Sequence, residues 1–180
     1  TVQRIGLIVD NIVASADIEE GKFGYTFSNM DIVDVITKQI ENLGLTIKQK
    51  DLKVSTSIPE GKFVAYVDAY RMSTAIYNVL ENAVEYTPQG GSISITLTDT
   101  GTNYEITVQD SGIGIPDGEM QHLFTKFYRG ENAKHMRPNG SGLGLYLVKH
   151  VVESHGGKVW IQSMDGAGTK VTMPLPYAKK

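Results

Sequence analysis

The sequence predicts an α+β fold: a two-layer sandwich whose mixed, largely antiparallel sheet carries helices on one face. Three observations carry that expectation. Stretches of period-two alternation and stretches of helical 3,4 spacing interleave along the chain, with no internal repeat. Two alternating pairs, 93–97 with 104–108 and 158–163 with 169–175, are joined by Asp/Gly turns and read as hairpins. A length of 180 residues suits one domain, or one domain with an appendage, and buries enough surface to need no staples.

The elements follow in order. Over residues 4–18, Ile5, Ile8, Val9, Ile12, Val13 and Ala16 form one apolar stripe, and Glu19-Glu20-Gly21-Lys22 ends the helix. A lone helix of this length is marginal in water, so the stripe wants a partner. It is either a terminal helix packed on its own domain or a piece of a separate helical unit. Residues 23–28 alternate through Phe23, Tyr25 and Phe27 and read as a short strand. Ser28 or Asn29 can cap the next helix, whose buried face is Ile32, Val33, Ile36, Ile40, Leu43 and Ile47. Strands at 52–58 and 62–67 flank a Pro59-Glu60-Gly61 turn. Asp68 then caps a helix that buries Met72, Ala75, Ile76, Val79, Leu80, Ala83 and Val84 and stops before Pro88. After the first hairpin come a glycine-rich loop at 110–118, a short helix near 117–124, a polar mobile loop at 130–141 and a helix over 143–154. The second hairpin closes the chain.

Composition removes several functions. There is no cysteine, which excludes disulfide frameworks, thiolate zinc sites and cysteine nucleophiles and is compatible with a reducing cytosol. Lys+Arg number 17 against 20 Asp+Glu, a formal charge of −3, which argues against a nucleic-acid binder. No stretch approaches the roughly 20 apolar residues of a membrane span, and Thr1-Val2-Gln3-Arg4 lacks the apolar core of a signal peptide. The chain is therefore expected to be soluble, either on its own or as the soluble part of a larger membrane protein.

Glycine is the anomaly. Eleven of the 19 glycines fall between Gly112 and Gly168, grouped in short motifs where backbone could approach a ligand. In Asp110-Ser111-Gly112-Ile113-Gly114-Ile115-Pro116, a strand-end carboxylate could accept from an exocyclic amine while the glycines admit a flat ligand; an Asp-x-Gly turn can equally be only a turn. Gly140-Ser141-Gly142-Leu143-Gly144-Leu145 opens a helix, where bare N–H groups and the dipole suit an anion such as phosphate. It is no P-loop, since no Gly-Lys-[Ser/Thr] follows, and its glycines could instead serve helix–sheet packing. Asn78 and Asn82 stand at i and i+4 on one helix face, hard amide ligands suited to Mg²⁺, or otherwise simply caps or solvated amides. Phe124-Thr125-Lys126-Phe127-Tyr128-Arg129 joins apolar anchors to a cation that could clamp phosphate or snorkel from a core.

Taken in register, Asn78…Asn82, Asp110-x-Gly112-x-Gly114, Phe124…Phe127-x-Arg129, Gly140-x-Gly142-x-Gly144 and Gly166-x-Gly168-Thr169 resemble the ATP-binding catalytic domain of sensor histidine kinases, in the GHKL superfamily. The resemblance covers roughly residues 23–176, and it implies a Bergerat-type ATP-binding fold. It divides the chain into 1–22, similar to the end of the second helix of the kinase dimerisation domain, and 23–180, the catalytic domain.

What the resemblance implies for the residues is as follows. Asn82 and Asn78 would hold Mg²⁺ on the ATP phosphates. Asp110 would accept from the adenine amino group, Gly112 and Gly114 would shape the base pocket, Ile115 and Tyr86 would pack on the ring, and Thr169 would lie at the adenine end. Residues 130–141 would form a lid. Gly140, Ser141, Gly142, Leu143 and Gly144 would bind phosphates through their backbone, and Arg129 would be the catalytic group neutralising γ-phosphate charge. Where the family often has a basic residue facing the phosphates, this chain has Glu85, which would repel them unless it points away; Lys134, His135 or Arg137 of the lid could compensate.

The superfamily's ATPases use a glutamate base one turn before the metal-binding Asn. Here that position is Asn78, which cannot take a proton from water, so phosphoryl transfer to a protein with little hydrolysis is expected. The family's acceptor is a histidine followed by an acidic residue. His122, His135, His150 and His155 are followed by Leu123, Met136, Val151 and Gly156, so the acceptor is expected outside this chain and self-labelling is expected to be poor. The implied partners are the dimerisation and phosphoacceptor domain of the same kinase and, through the whole kinase, a response regulator. Neither nucleic acid nor membrane is expected to be touched, and the isolated domain is expected to be a monomer, in the cytoplasm or on the cytoplasmic side of an anchored sensor. An anti-sigma-factor-type serine kinase or a non-catalytic ATP-binding module are the alternatives.

Overall fold

The computed structural model describes residues 2–178; Thr1, Lys179 and Lys180, which the expected domain limits include, lie outside the described residues. So do the side chains of residues 2–5 and 7, among them Ile5 of the expected stripe. The described elements are α1 (Val2–Glu19), β1 (Phe27–Asp31), α2 (Ile32–Gln49), β2 (Lys53–Ser57), β3 (Val64–Asp68), α3 (Ala69–Tyr86), β4 (Ser92–Asp99) and β5 (Tyr104–Asp110). A 3-10 segment (Asp117–His122), α4 (Glu131–Met136), α5 (Gly144–Ser154), β6 (Trp160–Ser163) and β7 (Thr169–Leu175) complete the chain.

Strands run in the order β2-β4-β5-β7-β6, with β2 parallel to β4 and every other neighbour antiparallel. Alternation sorts the two faces. Ile93, Ile95 and Leu97 of β4, Ile106 and Val108 of β5, and Val171, Met173 and Leu175 of β7 are buried in the core. Thr107 and Thr172 meet on the opposite, polar side. The apolar face is covered by α2, α3 and α5 through Ile36, Met72, Ile76, Val79, Leu80, Val148 and Val152. This is the two-layer mixed α/β architecture the sequence predicts. A second, two-stranded sheet pairs β1 with β3 antiparallel, and joins the end of β7 through an Ala65–Tyr177 bridge.

Several boundaries differ from expectation, each for a local reason. The first strand begins at Phe27, not Phe23. The aromatic run before it packs edge to face instead, with Phe23–Tyr25 centroids 5.3 Å apart, and the Arg71 guanidinium lies 3.9 Å over the Phe23 ring. The cap of α2 is Asp31, not Ser28 or Asn29: Asp31 Oδ1 accepts from Val33 N at 2.9 Å. Asp68 caps α3 as expected, accepting from Arg71 N at 2.9 Å. The lid segment is not all loop, for α4 occupies half of it.

The terminal helix α1 does touch its own domain, but by the unexpected face. Asn11, Ala14 and Ser15 are buried and Ile8 is half-buried at the cavity wall, whereas Val9, Ile12 and Val13 of the apolar stripe are turned outward, 51%, 50% and 53% exposed. No described helix is long and apolar enough to cross a membrane.

Candidate functional site

One cavity of about 150 Å³ opens between α3, the 130–141 segment expected to be a lid, and the ends of β5 and β7. It brings together Asn78, Asn82 and Tyr86 from α3, Asp110 from the end of β5, Gly114 and Ile115 from the loop after it, Arg129, Gly140, Ser141, Gly142 and Gly144 from the lid and α5, and Thr169 from β7. Gly112 and Leu143 are the two expected residues that do not line it. Gly112 supports from behind, donating its N–H to Asp110 Oδ1 at 2.8 Å. Leu143 is fully buried in the core.

The end built around Asp110 is fixed by backbone. Asp110 Oδ1 accepts from Gly112 N and, at 3.1 Å, from Thr169 N, which leaves Oδ2 for a guest. Burial raises the Asp110 pKa, and the two N–H donors oppose the rise. The loop is pinned further: Ile113 N donates to Tyr86 O at 3.1 Å and Gly166 N to Ile113 O at 2.8 Å. Glycine is required at two of these crossings. A Cβ on Gly114 (φ +67°) would lie 1.9 Å from Met164 O, and one on Gly168 (φ +89°) 2.0 Å from Asp110 O.

The other end is built from side chains and a helix terminus. The N-terminus of α5 has no side-chain cap, so its N–H groups and dipole face outward, a natural anion site. Gly144, its first residue, lies beside the Asn78 amide: a Cβ there would sit 3.4 Å from Asn78 Oδ1. Arg129, the expected phosphate clamp, is spent on lid carbonyls. Its Nη1 donates to Pro138 O at 2.9 Å and its Nη2 to Ala133 O at 3.2 Å and to Arg137 O.

The lining residues Glu81, Asn132 and Asn11 are not among the site residues that the sequence points to, and Arg137 enters there only as a cation that could offset Glu85. Arg137 reaches from the lid to Glu81 on α3, Nη2 to Oε1 at 3.1 Å, and both side chains are nearly buried. Burial disfavours the guanidinium charge, but Glu81 and then Glu85 more than offset it and raise the Arg137 pKa. Asn132 fastens the same lid to the fixed end, Nδ2 donating to Gly114 O at 3.1 Å. Asn11 brings α1 to the cavity wall. Glu81 could have been suspected from its place between Asn78 and Asn82; nothing local marked the pairing of Arg137 with Glu81, or Asn11.

Glu85 does not line the cavity. Its carbonyl accepts from Lys50 Nζ at 2.8 Å, and burial lowers the Lys50 pKa while the Glu85 charge partly restores it. Among the described residues no histidine lines the cavity either. His155 caps α5, its Nε2 accepting from Asp68 N at 2.9 Å and its Nδ1 donating to Val151 O at 2.7 Å.

Residues 67–179 match the family model described as histidine kinase-, DNA gyrase B-, and HSP90-like ATPase. Among curated proteins, the sensor histidine kinase WalK of Bacillus subtilis is 28% identical over 180 residues, 99% of this chain and 29% of its own length. The sensor-like histidine kinase SenX3 of Mycobacterium tuberculosis is 31% identical over 173 residues, 96% of this chain and 42% of its own. The chain thus spans less than half the length of these relatives. Among solved structures, a mycobacterial sensor histidine kinase, MprB, superposes with a TM-score of 0.70 at 27% identity, over 85% of this chain and 100% of that one. Full-length ShkA, solved in complex with AMPPNP, gives a TM-score of 0.79 over 96% of this chain and 36% of that one; at 20% identity it speaks for the fold alone.

Proposed function

The chain belongs to the histidine kinase-, DNA gyrase B- and HSP90-like ATPase family, as an ATP-binding catalytic domain of the sensor histidine kinase type, and from that premise we propose that it binds Mg-ATP in the cavity between Asp110 and α5 and serves the transfer of the γ-phosphoryl group to a histidine on a separate dimerisation domain. The observation that carries this reading is that Asp110 and Asn82, far apart in sequence, line one and the same cavity. Asp110 Oδ2 accepts from the adenine amine, which selects adenine over guanine; Tyr86 and Ile115 pack on the ring, and Thr169 holds the carboxylate in place.

The phosphates lie at Gly140, Ser141, Gly142 and Gly144 and the uncapped start of α5. The donor set fits a magnesium ion: Asn78 and Asn82 line the cavity and offer hard amide oxygens, while the buried, unpartnered Asn78 Nδ2 is left as a donor for a phosphate oxygen. When bound, the ion neutralises charge on the phosphates; the chain's own part is to orient it through Asn78 and Asn82. For Arg129 to reach the γ-phosphate it must exchange the carbonyls of Ala133, Arg137 and Pro138 for phosphate oxygens, a charge-assisted exchange that favours the phosphate. In the transfer, an imidazole nitrogen of the acceptor forms the N–P bond, the bond from phosphorus to the β–γ bridging oxygen breaks, and ADP leaves with that electron pair.

Residues 1–22 are proposed as the end of the second dimerisation helix and 23–180 as the catalytic domain. The outward stripe of Val9, Ile12 and Val13 supports that division, since it leaves an apolar face for the rest of a helical unit. A response regulator acting through the whole kinase, a monomeric isolated domain and a cytoplasmic setting belong to the same proposal. Titration with ATP in Mg²⁺ tests the site, and Asn82→Asp is expected to weaken binding at least tenfold. Trans-labelling tests the reaction: radiolabelled ATP with this chain alone should label poorly, and adding the helical hairpin that carries the acceptor histidine should restore labelling. Strong self-labelling without the hairpin, or ATP turnover at the rate of a superfamily ATPase, sinks the proposal.

A further inference from the structure

Helix α1 contributes a polar side chain to the cavity that the motif pattern does not account for. Asn11 is 4% exposed and lines the wall beside Asn78, itself 2% exposed. Asn11 Nδ2 donates to Asn78 Oδ1 across 3.5 Å, a long hydrogen bond linking residues 67 apart in sequence. That single bond leaves one atom of each amide buried and without a partner: Asn11 Oδ1, an acceptor, and Asn78 Nδ2, a donor. Buried polar atoms left unpaired cost free energy and are rare, so two on one wall of a ligand cavity point to a guest that supplies the missing hydrogen bonds. An acceptor next to an amide placed to hold a cation suits a water of a hydration shell. Magnesium keeps several such waters, and groups that bind them orient the inner ligands.

We propose that Asn11 is a positioning residue of the nucleotide site, holding the Asn78 amide through its Nδ2 and accepting, through its Oδ1, a hydrogen from a water on the magnesium ion that accompanies ATP. This rests on the reading of the cavity as an Mg-ATP site. It has a consequence for the whole kinase. The helix that leads in from the dimerisation domain touches the metal end of the site through Asn11, so displacing α1 loosens the ion's outer shell without moving any residue of the adenine end.

The full chain is titrated with ATP twice, in excess Mg²⁺ and in EDTA, and the ratio of the two affinities is the readout. Wild type is expected to bind more tightly with Mg²⁺; no ATP binding by wild type at all would overturn the site reading itself. Asn11→Ala is expected to cut the Mg²⁺-dependent gain about tenfold, the lower end of what losing an outer-shell partner does, with the EDTA affinity unchanged. Asn11→Asp loses the donor to Asn78 Oδ1 but keeps the acceptor, and the Asn78 amide can turn its unpartnered Nδ2 to the new carboxylate, so the gain is expected to hold at or above wild type, which also carries the test if the alanine variant does not fold. Ligand-induced shifts in Tm measured in the same two buffers should divide in the same way. An equal loss of affinity in both buffers assigns Asn11 to packing alone and overturns the proposal, as does an unchanged ratio in Asn11→Ala or a reduced one in Asn11→Asp.

Discussion

The two ends of the cavity are held by different kinds of bond. At the Asp110 end, main chain meets main chain: Ser111 N to Ser92 O at 2.9 Å, Ile113 N to Tyr86 O at 3.1 Å and Gly166 N to Ile113 O at 2.8 Å. At the Asn78 end, the holding groups are side chains: Arg137 on Glu81, Arg129 on three lid carbonyls, and Asn11 on Asn78. Backbone crossings between packed strands have one geometry. Long side chains have many, and each of these partners is something a triphosphate must displace or join. The Asp110 end, the proposed base site, is therefore preformed, while the Asn78 end, the proposed phosphate site, is held by the chain's own charges, which a bound triphosphate is expected to displace.

The largest effect that would break this contrast is a methyl group at the base end. Gly114→Ala places a Cβ against the Met164 carbonyl at a positive φ. The left-handed backbone costs about 1–2 kcal/mol and the overlap a similar amount, so urea unfolding should show a loss of roughly 3 kcal/mol. A loss under about 1 kcal/mol would mean that the base loop gives way as easily as the lid.

Next comes Asp110→Asn, which separates recognition from stability. The amide turns a donor toward the adenine amine, and an unsatisfied donor there should weaken ATP about thirtyfold by titration. Stability should move the other way. Burial raises the Asp110 pKa in the folded state, so its stabilising contribution is full below the unfolded carboxylate pKa and is lost as pH rises through the folded one. At neutral pH the carboxylate is held at a cost, and the neutral amide should keep or raise Tm. In the wild type, ATP affinity should fall on acidification, beginning at a higher pH than an ordinary carboxylate would give.

How much of this was legible in the sequence follows from the same contrast. Local periodicity reports burial, so the inward rows of α3, β4 and β5 could be read off, and Asp110 and the glycines could be found because tight crossings demand particular residues at fixed spacing. Boundaries slipped where side chains found partners off the sheet, as Phe23 did with Tyr25 and Arg71. The lid pair escaped because Glu81 and Arg137 are 56 residues apart and no spacing links them. Helix α1 is the more instructive case. Its apolar stripe marks a face that wants burial, but the domain buries Asn11, Ala14 and Ser15 and leaves Val9, Ile12 and Val13 in water. Amphipathicity tells which face seeks a partner; it does not tell which partner is present.

A smaller effect is expected at the lid. Arg137→Ala leaves Glu81 without its counter-charge. Losing one partner of a fully buried pair can cost 3 kcal/mol or more, but here water can reach Glu81 through the cavity once the lid lifts, so about 1–2 kcal/mol is expected. Amide exchange should speed up across residues 130–137 and stay unchanged across Ser111, Ile113 and Gly166. Uniform acceleration at both ends would erase the distinction between them.

The smallest effect sharpens the contrast from outside the cavity. Lys126 Nζ meets Glu19 Oε1 at 2.7 Å, joining the end of α1 to the segment before the lid, yet the carboxylate is 59% exposed. Water screens such a pair, and ordering two long side chains offsets most of its attraction, so Glu19→Ala should change stability by less than about 0.5 kcal/mol. Its ATP affinity should match wild type with and without Mg²⁺. If α1 communicates with the phosphate end through its buried amide, loosening this outer tether leaves binding alone; if Glu19→Ala lowers the Mg²⁺-dependent affinity as Asn11→Ala is expected to, the helix acts as a rigid strut and the amide is not the point of contact that matters.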